Sequence, residues 1–356
     1  MKILVVLGTR PEAVKLAPVI RALKKKKIPT VVCATGQHRE LFEQTRSILG
    51  KSPRHDLKIM RRSQDPHEAA ERIQHALVPV FKKERPSLLV VQGDTTTAAA
   101  AAIAAFDAEI PVAHVEAGLR SHDINNPCPE EGNRILIDGL SALHFAPTQT
   151  ARMNLLNEAV SDESIFVTGN TVVDELKRHN KKASRTKDGP VLVTLHRRES
   201  FGAPLRSILK GLLDAVKKNP ALELIFPVHP NPSVKSLVRT ILKHPRIRLS
   251  PPLEYPKFLE LLCRCRFVVT DSGGLQEEAA CLKIPVLVAR DATDRPEMLK
   301  SGGAWLIGRK RADVAEAISR LLQEDTLYRR MAKAPNPFGD GRAGERIALK
   351  IKAFLK

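Results

Sequence analysis

The chain has 356 residues, a length that favours two domains, and its 58 Lys and Arg against 39 Asp and Glu give a formal net charge of +19. Hydrophobic residues make up 43% of the chain and aromatic residues only 4%, so its cores must be built from Leu, Ile, Val and Ala. The charge suits an anionic partner, but the basic residues are scattered and no aromatic residues alternate with them, which argues against a nucleic-acid-binding surface.

Short apolar strands alternate with helical segments along the whole chain. The predicted strands are 2–7, 30–35, 87–92, 112–115, 143–146 and 164–167 in the first half, and 191–195, 222–227, 246–249, 267–270 and 285–288 in the second. This alternation is typical of parallel, doubly wound sheets with helices on both faces. The sequence therefore predicts an α/β protein with two similar halves and a cleft between them.

The polar segment 181–190, which ends in Gly-Pro, is the best candidate for a linker between the two halves. We therefore predict one Rossmann-like domain over 1–180 and a second over 190–335. The closing segment 341–356 is predicted to be a helix, because Ile347, Ile351 and Leu355 fall on one helical face. We expect this helix to join the first domain.

Polar or glycine-rich clusters follow several of the predicted strands. Ligands of open α/β sheets bind beyond the carboxyl ends of the strands, so clusters at these ends indicate a binding site in each half. The clusters are residues 8–12, 92–97, 114–118, 196–200 and 228–232.

The run 271–278, Asp-Ser-Gly-Gly-Leu-Gln-Glu-Glu, is the most informative segment. It follows an apolar strand and opens a helix predicted over 275–282, so free backbone N–H groups and the positive end of the helix dipole meet at its Ser-Gly-Gly turn. Such a turn favours a phosphate, and glycines allow the backbone to come close to it. Glu277 and Glu278, placed in the first helical turn, offer carboxylates to ribose hydroxyls. The alternative is a turn whose glycines serve packing alone.

Three carboxylates of the first half, Asp94, Glu116 and Glu130, lie in or just after strand-end loops. Carboxylates crowded in a cleft can divide the roles of acid and base. Structural roles are also open: Asp94 could cap a helix, and Glu130 could complement a helix dipole. Glu116 could pair with Arg120 or Arg134.

The cationic candidates lie at strand ends or on the first helix. His196 is followed by two arginines, and a histidine in that setting can donate to a diphosphate or shuttle a proton. Arg10 and Lys15 form a cationic pair on the first predicted helix, and His229 follows a strand of the second half. An ordinary surface or structural role is the alternative for each.

The cysteines and the apolar runs indicate which cellular compartment and which cofactors to expect. Five cysteines, an odd and sparse set, predict a reducing compartment. Cys263 and Cys265 are too close for a zinc knuckle and lack a second pair, so we expect no metal and no cofactor. The longest Ala-rich run, 98–106, is too short to span a bilayer, and an apolar strand stands where a signal sequence would begin. We therefore expect a cytoplasmic protein with no membrane or nucleic-acid partner.

Taken together, the motifs resemble those of the non-hydrolysing UDP-N-acetylglucosamine 2-epimerases, in the same order and over nearly the whole chain. The matching runs are 8–12 with Lys15, 36–39, 92–97, 114–120, 129–131 with 133–134, 145–148, 168–171, 196–200, 227–229, 271–278 and 295–297. The resemblance implies a GT-B type fold, with catalytic carboxylates in the first domain and UDP binding in the second. It also implies a homodimer.

The resemblance implies reversible epimerisation at C2 between UDP-GlcNAc and UDP-ManNAc, by elimination of UDP to 2-acetamidoglucal and its re-addition. This chemistry needs a base for the C2 proton, an acid on the other face and cations at the departing diphosphate. By motif position, the implied catalytic residues are Asp94, Glu116, Glu130 and His196. The implied substrate-binding residues are Arg10, Lys15, His229, Phe258, Ser272, Gly273, Gly274 and Glu278.

The sequence leaves other functions open. One is a 2-epimerase acting on a modified UDP-sugar of the 2,3-diacetamido uronic acid type, and another is a hydrolysing 2-epimerase. A GT-B glycosyltransferase would need an acceptor site, but no amphipathic membrane-facing segment is evident. One departure from the family pattern is Cys128, which stands where a bulky apolar residue is usual before the Pro-Glu-Glu run.

Overall fold

The computed structural model describes residues 1–36, 48–50, 52–59, 65–179, 189–197, 200–229 and 231–356. It divides into two compact units, Met1–His179 with Phe338–Lys356, and Asn180–Pro337. The predicted linker 181–190 lies almost wholly outside the described residues, as do parts of the runs 36–39 and 196–200. The roles predicted for the two domains, catalysis in the first and UDP binding in the second, stay predictions.

The first unit contains one parallel sheet. Its strands are β1 (Ile3–Leu7), β2 (Thr30–Ala34), β3 (His55–Asp56), β4 (Leu88–Gln92), β5 (Val112–Val115), β6 (Leu143–Ala146) and β7 (Ile165–Val167). Its helices are α1 (Arg10–Lys25), α2 (Pro66–Glu84), α3 (Thr96–Asp107), α4 (Glu130–Leu140), α5 (Gln149–Asn157), α6 (Thr171–Arg178) and, from the end of the chain, α14 (Ala343–Phe354), with a 3-10 turn at Asp162–Ser164. Within the described residues the strand order is β3-β2-β1-β4-β5-β6-β7, and neighbouring strands run parallel.

Successive residues of β1 enter two different cores, one on each face of the sheet. Leu4 and Val6 pack among side chains of α2 and α3, whereas Ile3 and Val5 pack among side chains of α1 and α14. A strand buried on both faces is apolar at every position, and this explains why β1 and β4 appear in the sequence as continuous apolar runs.

The second unit contains a second parallel sheet. Its strands are β8 (Val191–Thr194), β9 (Leu224–Pro227), β10 (Ile247–Ser250), β11 (Val268–Thr270), β12 (Val286–Val288) and β13 (Ala304–Leu306). Its helices are α7 (Ala203–Lys218), α8 (Pro232–Ile241), α9 (Tyr255–Arg264), α10 (Gly273–Cys281), α11 (Pro296–Lys300), α12 (Arg311–Gln323) and α13 (Asp325–Lys333). The described strands follow the order β10-β9-β8-β11-β12-β13, with parallel neighbours. The prediction of two doubly wound parallel sheets is confirmed.

Both sheets have a switch point, where the strand order reverses: between β1 and β4 in the first, and between β8 and β11 in the second. Ligands of doubly wound sheets bind in the crevice outside the strand ends at this point. The loops that follow these four strands carry Gly8, Asp94, His196 and Asp271. The topology therefore places residues from three of the strand-end clusters and from the run 271–278 at the positions where this fold binds ligands.

The C-terminal helix is shorter than predicted. It covers Ala343–Phe354 rather than 341–356, because Gly341 has φ of +77° and Arg342 is the N-cap residue. Ile347 and Ile351 are fully buried in the core that α1 shares with the first sheet, whereas Leu355 lies beyond the helix end.

Two short strands and one helix start differ from the prediction. The prediction missed β3, which consists of two polar residues and shows no hydrophobic periodicity. It also missed the apolar strand β13. Helix α10 begins at Gly273 rather than at residue 275. Glu277 and Glu278 therefore lie in its second turn, and their predicted placement in the first turn is wrong.

No helix in the described part of the chain is long and apolar enough to cross a membrane.

Candidate functional site

Glu116 follows β5 directly and is strained, buried and held by several donors. Its φ of 71° lies in the left-handed region, which costs a non-glycine residue on the order of 1 kcal/mol and is typical of functional sites. Its side chain is 7% exposed. Three donors converge on one carboxylate oxygen, Oε2: Lys15 Nζ at 2.5 Å, Gln92 Nε2 at 3.2 Å and Asn170 Nδ2 at 3.2 Å.

The three donors to Glu116 come from three separate elements. Lys15 lies on the buried face of α1, Gln92 ends β4, and Asn170 is the N-cap residue of α6. Lys15 was predicted to bind substrate, but its side chain is 8% exposed and its ammonium is engaged with Glu116. Gln92 and Asn170 had no predicted role, although both lie in runs that matched the family.

The two arginines considered as partners of Glu116 have carboxylate neighbours of their own. Arg120 donates from Nη2 to Asp138 at 2.7 Å and to Glu158 at 2.6 Å. Arg134 donates to Asp94 and, through Nη1 at 2.9 Å, to Glu131. Sequence reasoning did not foresee that Glu116 would bind Lys15.

Asp94 lies between β4 and α3 and is held by α4. Its Oδ2 accepts from Arg134 Nε at 2.9 Å and Nη2 at 2.7 Å, and Asn133 Nδ2 donates to its backbone carbonyl at 2.8 Å. The idea that Asp94 caps α3 is wrong: the N-cap residue is Thr95, whose hydroxyl accepts from Ala98 N–H at 3.0 Å. The Asp94 side chain is 27% exposed, so its carboxylate is accessible for chemistry.

The adjacent glutamates at the start of α4 differ in their surroundings. Glu131 is buried, and its Oε1 accepts from the backbone N–H groups of Ser121 and His122 at 2.9 and 3.0 Å. Its Oε2 accepts from Arg134 at 2.9 Å. Glu130 is half-buried, and its side chain forms no hydrogen bond or ion pair within the described part of the chain. Glu131 therefore holds a loop, while the Glu130 carboxylate remains available.

The loop after β1 is held by a carboxylate that the prediction did not single out. Glu12 accepts from the N–H of Gly8 at 3.0 Å and from the hydroxyls of Thr9 and Thr95 at 2.7 and 2.8 Å. Burial raises the pKa of Glu12, against the lowering effect of these hydrogen bonds. Glu12 thus ties the loop that carries Arg10, which is half-buried at the start of α1, to the loop after β4.

A buried polar network lies among the same loops. Asp138 accepts from His114 Nδ1 at 2.6 Å, Arg120 Nη2 at 2.7 Å and Gly118 N–H at 3.1 Å. Burial alone would raise the pKa of Asp138, but His114 and Arg120 together lower it. His114 Nε2 also lies 2.8 Å from the Gly93 carbonyl, so both ring nitrogens are engaged within the network. The network fixes the loops after β4 and β5 relative to each other.

In the second unit, His196 is positioned by Asp271. Asp271 is fully buried, and its Oδ2 accepts from the backbone N–H groups of His196 and Arg197, each at 2.9 Å. The His196 Nδ1 lies 3.3 Å from Asp271 Oδ1, which leaves Nε2 directed away from the carboxylate. The ring of His229 stacks on that of His196, with 5.9 Å between centroids. The His196 side chain is 39% exposed and can therefore meet a ligand.

The N-terminus of α10 has features of an anion site. Its N-cap residue Ser272 makes no side-chain capping hydrogen bond, and a methyl group added at Gly274 would meet no atom within 4 Å in the described part of the chain. At Gly273 such a group would lie 3.2 Å from Cζ of Arg295, so this guanidinium stands beside the helix start. Arg295 is held by Glu277 at 2.5 Å. Glu277 therefore forms an ion pair with Arg295. The role of Glu278 in ribose binding stays a prediction.

The candidate residues fall into two groups, one in each unit. In the first unit they are Arg10, Lys15, Asp94, Glu116 and Glu130. In the second they are His196, His229, Phe258, Ser272, Gly273, Gly274 and Glu278, with Phe258 half-buried on α9 and His229 exposed after β9. The described residues include no group of three or more His, Cys, Asp or Glu side chains placed to hold a metal ion.

Comparison with known proteins gives one consistent result. The family described as UDP-N-acetylglucosamine 2-epimerase matches residues 21–352 of the chain. The chain is 43% identical to the UDP-N-acetylglucosamine 2-epimerase of Yersinia pestis, and the match covers 99% of this chain and 98% of that protein.

Solved structures agree with the sequence match. The crystal structure of UDP-GlcNAc 2-epimerase from Neisseria meningitidis bound to UDP-GlcNAc superposes with a TM-score of 0.94 and 39% identity, over 99% of this chain and 100% of that chain. The S. aureus MnaA–UDP co-structure gives a TM-score of 0.94 and 39% identity over 99% and 96% of the two chains. These matches confirm the predicted GT-B fold and the resemblance found from the motifs.

Proposed function

The chain belongs to the UDP-N-acetylglucosamine 2-epimerase family, and we propose that it catalyses the reversible epimerisation of UDP-GlcNAc at C2 to give UDP-ManNAc. The observation that supports the proposal most strongly is the conformation and environment of Glu116. It combines a strained backbone, burial and three donors on a single oxygen at the carboxyl edge of the first sheet. Removal of a proton from carbon requires a positioned base, and a carboxylate held in one orientation is suited to that role.

We infer that the second unit binds the UDP part of the substrate. The uncapped N-terminus of α10, the open space at Gly274 and the guanidinium of Arg295 together support a diphosphate site. Glu278 would accept from the ribose hydroxyls, and Phe258 would lie against the uracil. The similar S. aureus MnaA structure was solved with UDP, which supports UDP as a ligand of this chain.

We propose an elimination followed by a re-addition. A base takes the C2 proton, the C1–O bond breaks, and its electron pair leaves with UDP while a C1=C2 double bond forms. The 2-acetamidoglucal then takes a proton at C2 from the opposite face as UDP returns to C1. His196 and the cations near the diphosphate would stabilise the charge that develops on the leaving UDP.

The surroundings of the three carboxylates support a division of roles. An ammonium and two amides on Glu116 favour its ionised form, which suits it to accept a proton. Glu130, whose side chain has no ion-pair partner among the described residues, would face the opposite side of C2 as the second acid–base group. Asp94, which is held in place by Arg134, would assist the proton transfer.

Proton NMR of the protein with UDP-GlcNAc in deuterated water tests the proposal. Formation of UDP-ManNAc with deuterium at C2 would support both the reaction and the elimination route. Free ManNAc with UDP would instead show a hydrolysing 2-epimerase. Unchanged UDP-GlcNAc with its C2 proton retained would overturn the proposal, and a modified UDP-sugar or a transferase reaction would be tested next.

We also propose that the protein forms a homodimer through the helical face of the first unit. Helices α2, α3 and α4 are neighbours on that face. They expose the large apolar side chains Val78, Phe106, Ile135 and Leu136. Light scattering on a size-exclusion column checks this: a dimer has twice the chain mass of 39.3 kDa, and Phe106→Asp should shift it toward the monomer. A monomeric unaltered protein at micromolar concentration would contradict the proposal.

A further inference from the structure

Asn170 is a buried side chain whose polar groups are all engaged. Its Oδ1 accepts from Val172 N–H at 3.0 Å, which makes it the cap of α6, and its Nδ2 donates to Glu116 Oε2 at 3.2 Å. Its backbone N–H donates to the Phe338 carbonyl at 2.8 Å. Because the helix N–H requires an acceptor, the amide can take only one orientation, with its NH₂ group toward Glu116.

We propose that Asn170 is a positioning residue for Glu116 in the epimerisation reaction, an inference that rests on the function proposed above. Of the three donors to Oε2, Lys15 and Gln92 reach it on long side chains with several rotatable bonds. Asn170 has a short side chain that is also fixed by its bond to Val172. It therefore fixes the direction of Oε2 and, with it, the orientation of the Glu116 carboxylate.

The place of Asn170 is itself set by the chain that returns from the second unit. Gly169 has φ of +88°, and a methyl group added there would lie 3.2 Å from the Phe338 carbonyl oxygen. Gly339, with φ of +102°, lies against the same glycine, and Phe338 is fully buried. Arg346 on α14 donates to the Thr168 carbonyl at 3.0 Å. The returning chain thus fixes the backbone on both sides of Gly169.

Two substitutions separate the positioning role from the capping role. Asn170→Ser and Asn170→Asp both keep an oxygen that can cap α6. Serine removes the donor to Glu116, and aspartate places a second carboxylate against it. The matched control is Asp174→Asn, since Asp174 accepts from Ala343 and Gly344 N–H at 3.1 and 2.8 Å. That change loosens the contact between α6 and α14 without altering the amide on Glu116.

The expected result is a loss of kcat with little change in KM. Hydrogen bonds to charged groups contribute about 1.5–3 kcal/mol, so Asn170→Ser should lower kcat about 10-fold and Asn170→Asp about 100-fold. Without the donor, Glu116 holds its proton more tightly, although Lys15 still faces it. In a plot of kcat/KM against pH, the acidic limb should therefore shift to higher pH, by about 0.5–1 unit in the serine variant and by more in the aspartate variant.

The outcomes are distinguishable. The control Asp174→Asn should lower Tm and leave the acidic limb in place. If Asn170→Ser folds, as circular dichroism will show, and has the kcat and the acidic limb of the unaltered protein, the positioning role is overturned while the epimerase function stands. If the unaltered protein does not turn over UDP-GlcNAc, the proposed function fails first and the role of Asn170 fails with it.

Discussion

The ammonium of Lys15 lies 2.5 Å from Oε2 of Glu116, across 101 residues of sequence, and both side chains are buried. The pair joins the first helix to the end of β5, at the carboxyl edge of the first sheet. A buried ion pair of this kind is costly to break from one side, because the remaining charge loses its partner without regaining water.

Removal of the Lys15 charge should therefore affect both stability and turnover. We expect Lys15→Met to lower the free energy of unfolding by about 3 kcal/mol and turnover at least about 100-fold. The double variant Lys15→Met with Glu116→Gln should regain most of the stability and none of the activity. Urea unfolding and the NMR assay measure the two effects.

The control for Lys15 is Lys2→Met. Lys2 pairs with Glu84 at 2.8 Å from a half-exposed position, so its loss should cost less than about 1 kcal/mol and leave turnover unchanged. Equal losses of stability in the two lysine variants would contradict the prediction for Lys15.

The neighbouring glutamates of α4 should respond in opposite ways. We expect Glu130→Gln to reduce turnover at least about 100-fold with Tm unchanged, because its carboxylate makes no structural bond among the described residues. Glu131→Gln should lower the free energy of unfolding by about 2–3 kcal/mol, because Glu131 holds two backbone N–H groups and Arg134. Thermal unfolding and turnover of both variants test these two roles. A fully active Glu130→Gln would exclude Glu130 from the chemistry.

The remaining predicted catalytic groups can be tested individually. Asp94→Asn and Glu116→Gln should each reduce turnover by about 100-fold or more, as loss of a positioned acid or base does. His196→Ala should do the same. Initial rates of UDP-ManNAc formation measure the effect. If the three variants and Glu130→Gln all keep near full activity, the proposed site is wrong.

The glycine at the start of α10 offers a test of UDP binding that leaves folding intact. A methyl group at Gly274 would meet no atom of the described residues within 4 Å, so Gly274→Ala should retain its Tm. The methyl would occupy the space through which a diphosphate approaches the backbone, and we expect UDP affinity to fall at least about 10-fold.

Calorimetric titration with UDP reads the effect of Gly274→Ala. Gly139→Ala in α4 is the matched control, because its added methyl also meets no atom of the described residues. A helical glycine to alanine change stabilises by about 0.5–1 kcal/mol. The control should bind UDP normally. Unchanged affinity in Gly274→Ala would remove this helix start from the binding site.

Glu84 gives a prediction on stability and pH. Hydrogen bonds from Lys2 and His55 are the main cause that lowers the pKa of Glu84 from 4.5 to about 2. A lowered pKa stabilises the fold above the unfolded pKa of 4.5, and the contribution is lost as pH falls toward 2. Glu84→Gln should therefore be less stable at pH 7 by about 1 kcal/mol, since its cations are partly exposed. Urea unfolding should show this difference shrinking between pH 5 and pH 3, and a difference independent of pH would contradict the prediction.

The pattern of strands and helices was readable from the sequence because parallel strands buried on both faces are apolar throughout. Even so, the prediction missed β3, because two polar residues show no hydrophobic periodicity. It also placed the start of α10 two residues too late, because glycines at the start of a helix resemble a turn. The polar clusters at the strand ends, which contain Asp94, Glu116 and His196, could also be predicted from the sequence.

The sequence by itself determined which chemical groups stand at the strand ends, because that depends on local alternation and on the order of motifs. Only the tertiary structure decided how those groups are held. Lys15 and Asn170 meet Glu116 across 101 and 54 residues, and Asp271 meets His196 across 75. Such pairings depend on which strands become neighbours in the sheet, and side chains far apart in the chain carry no local signal of the partner they will find.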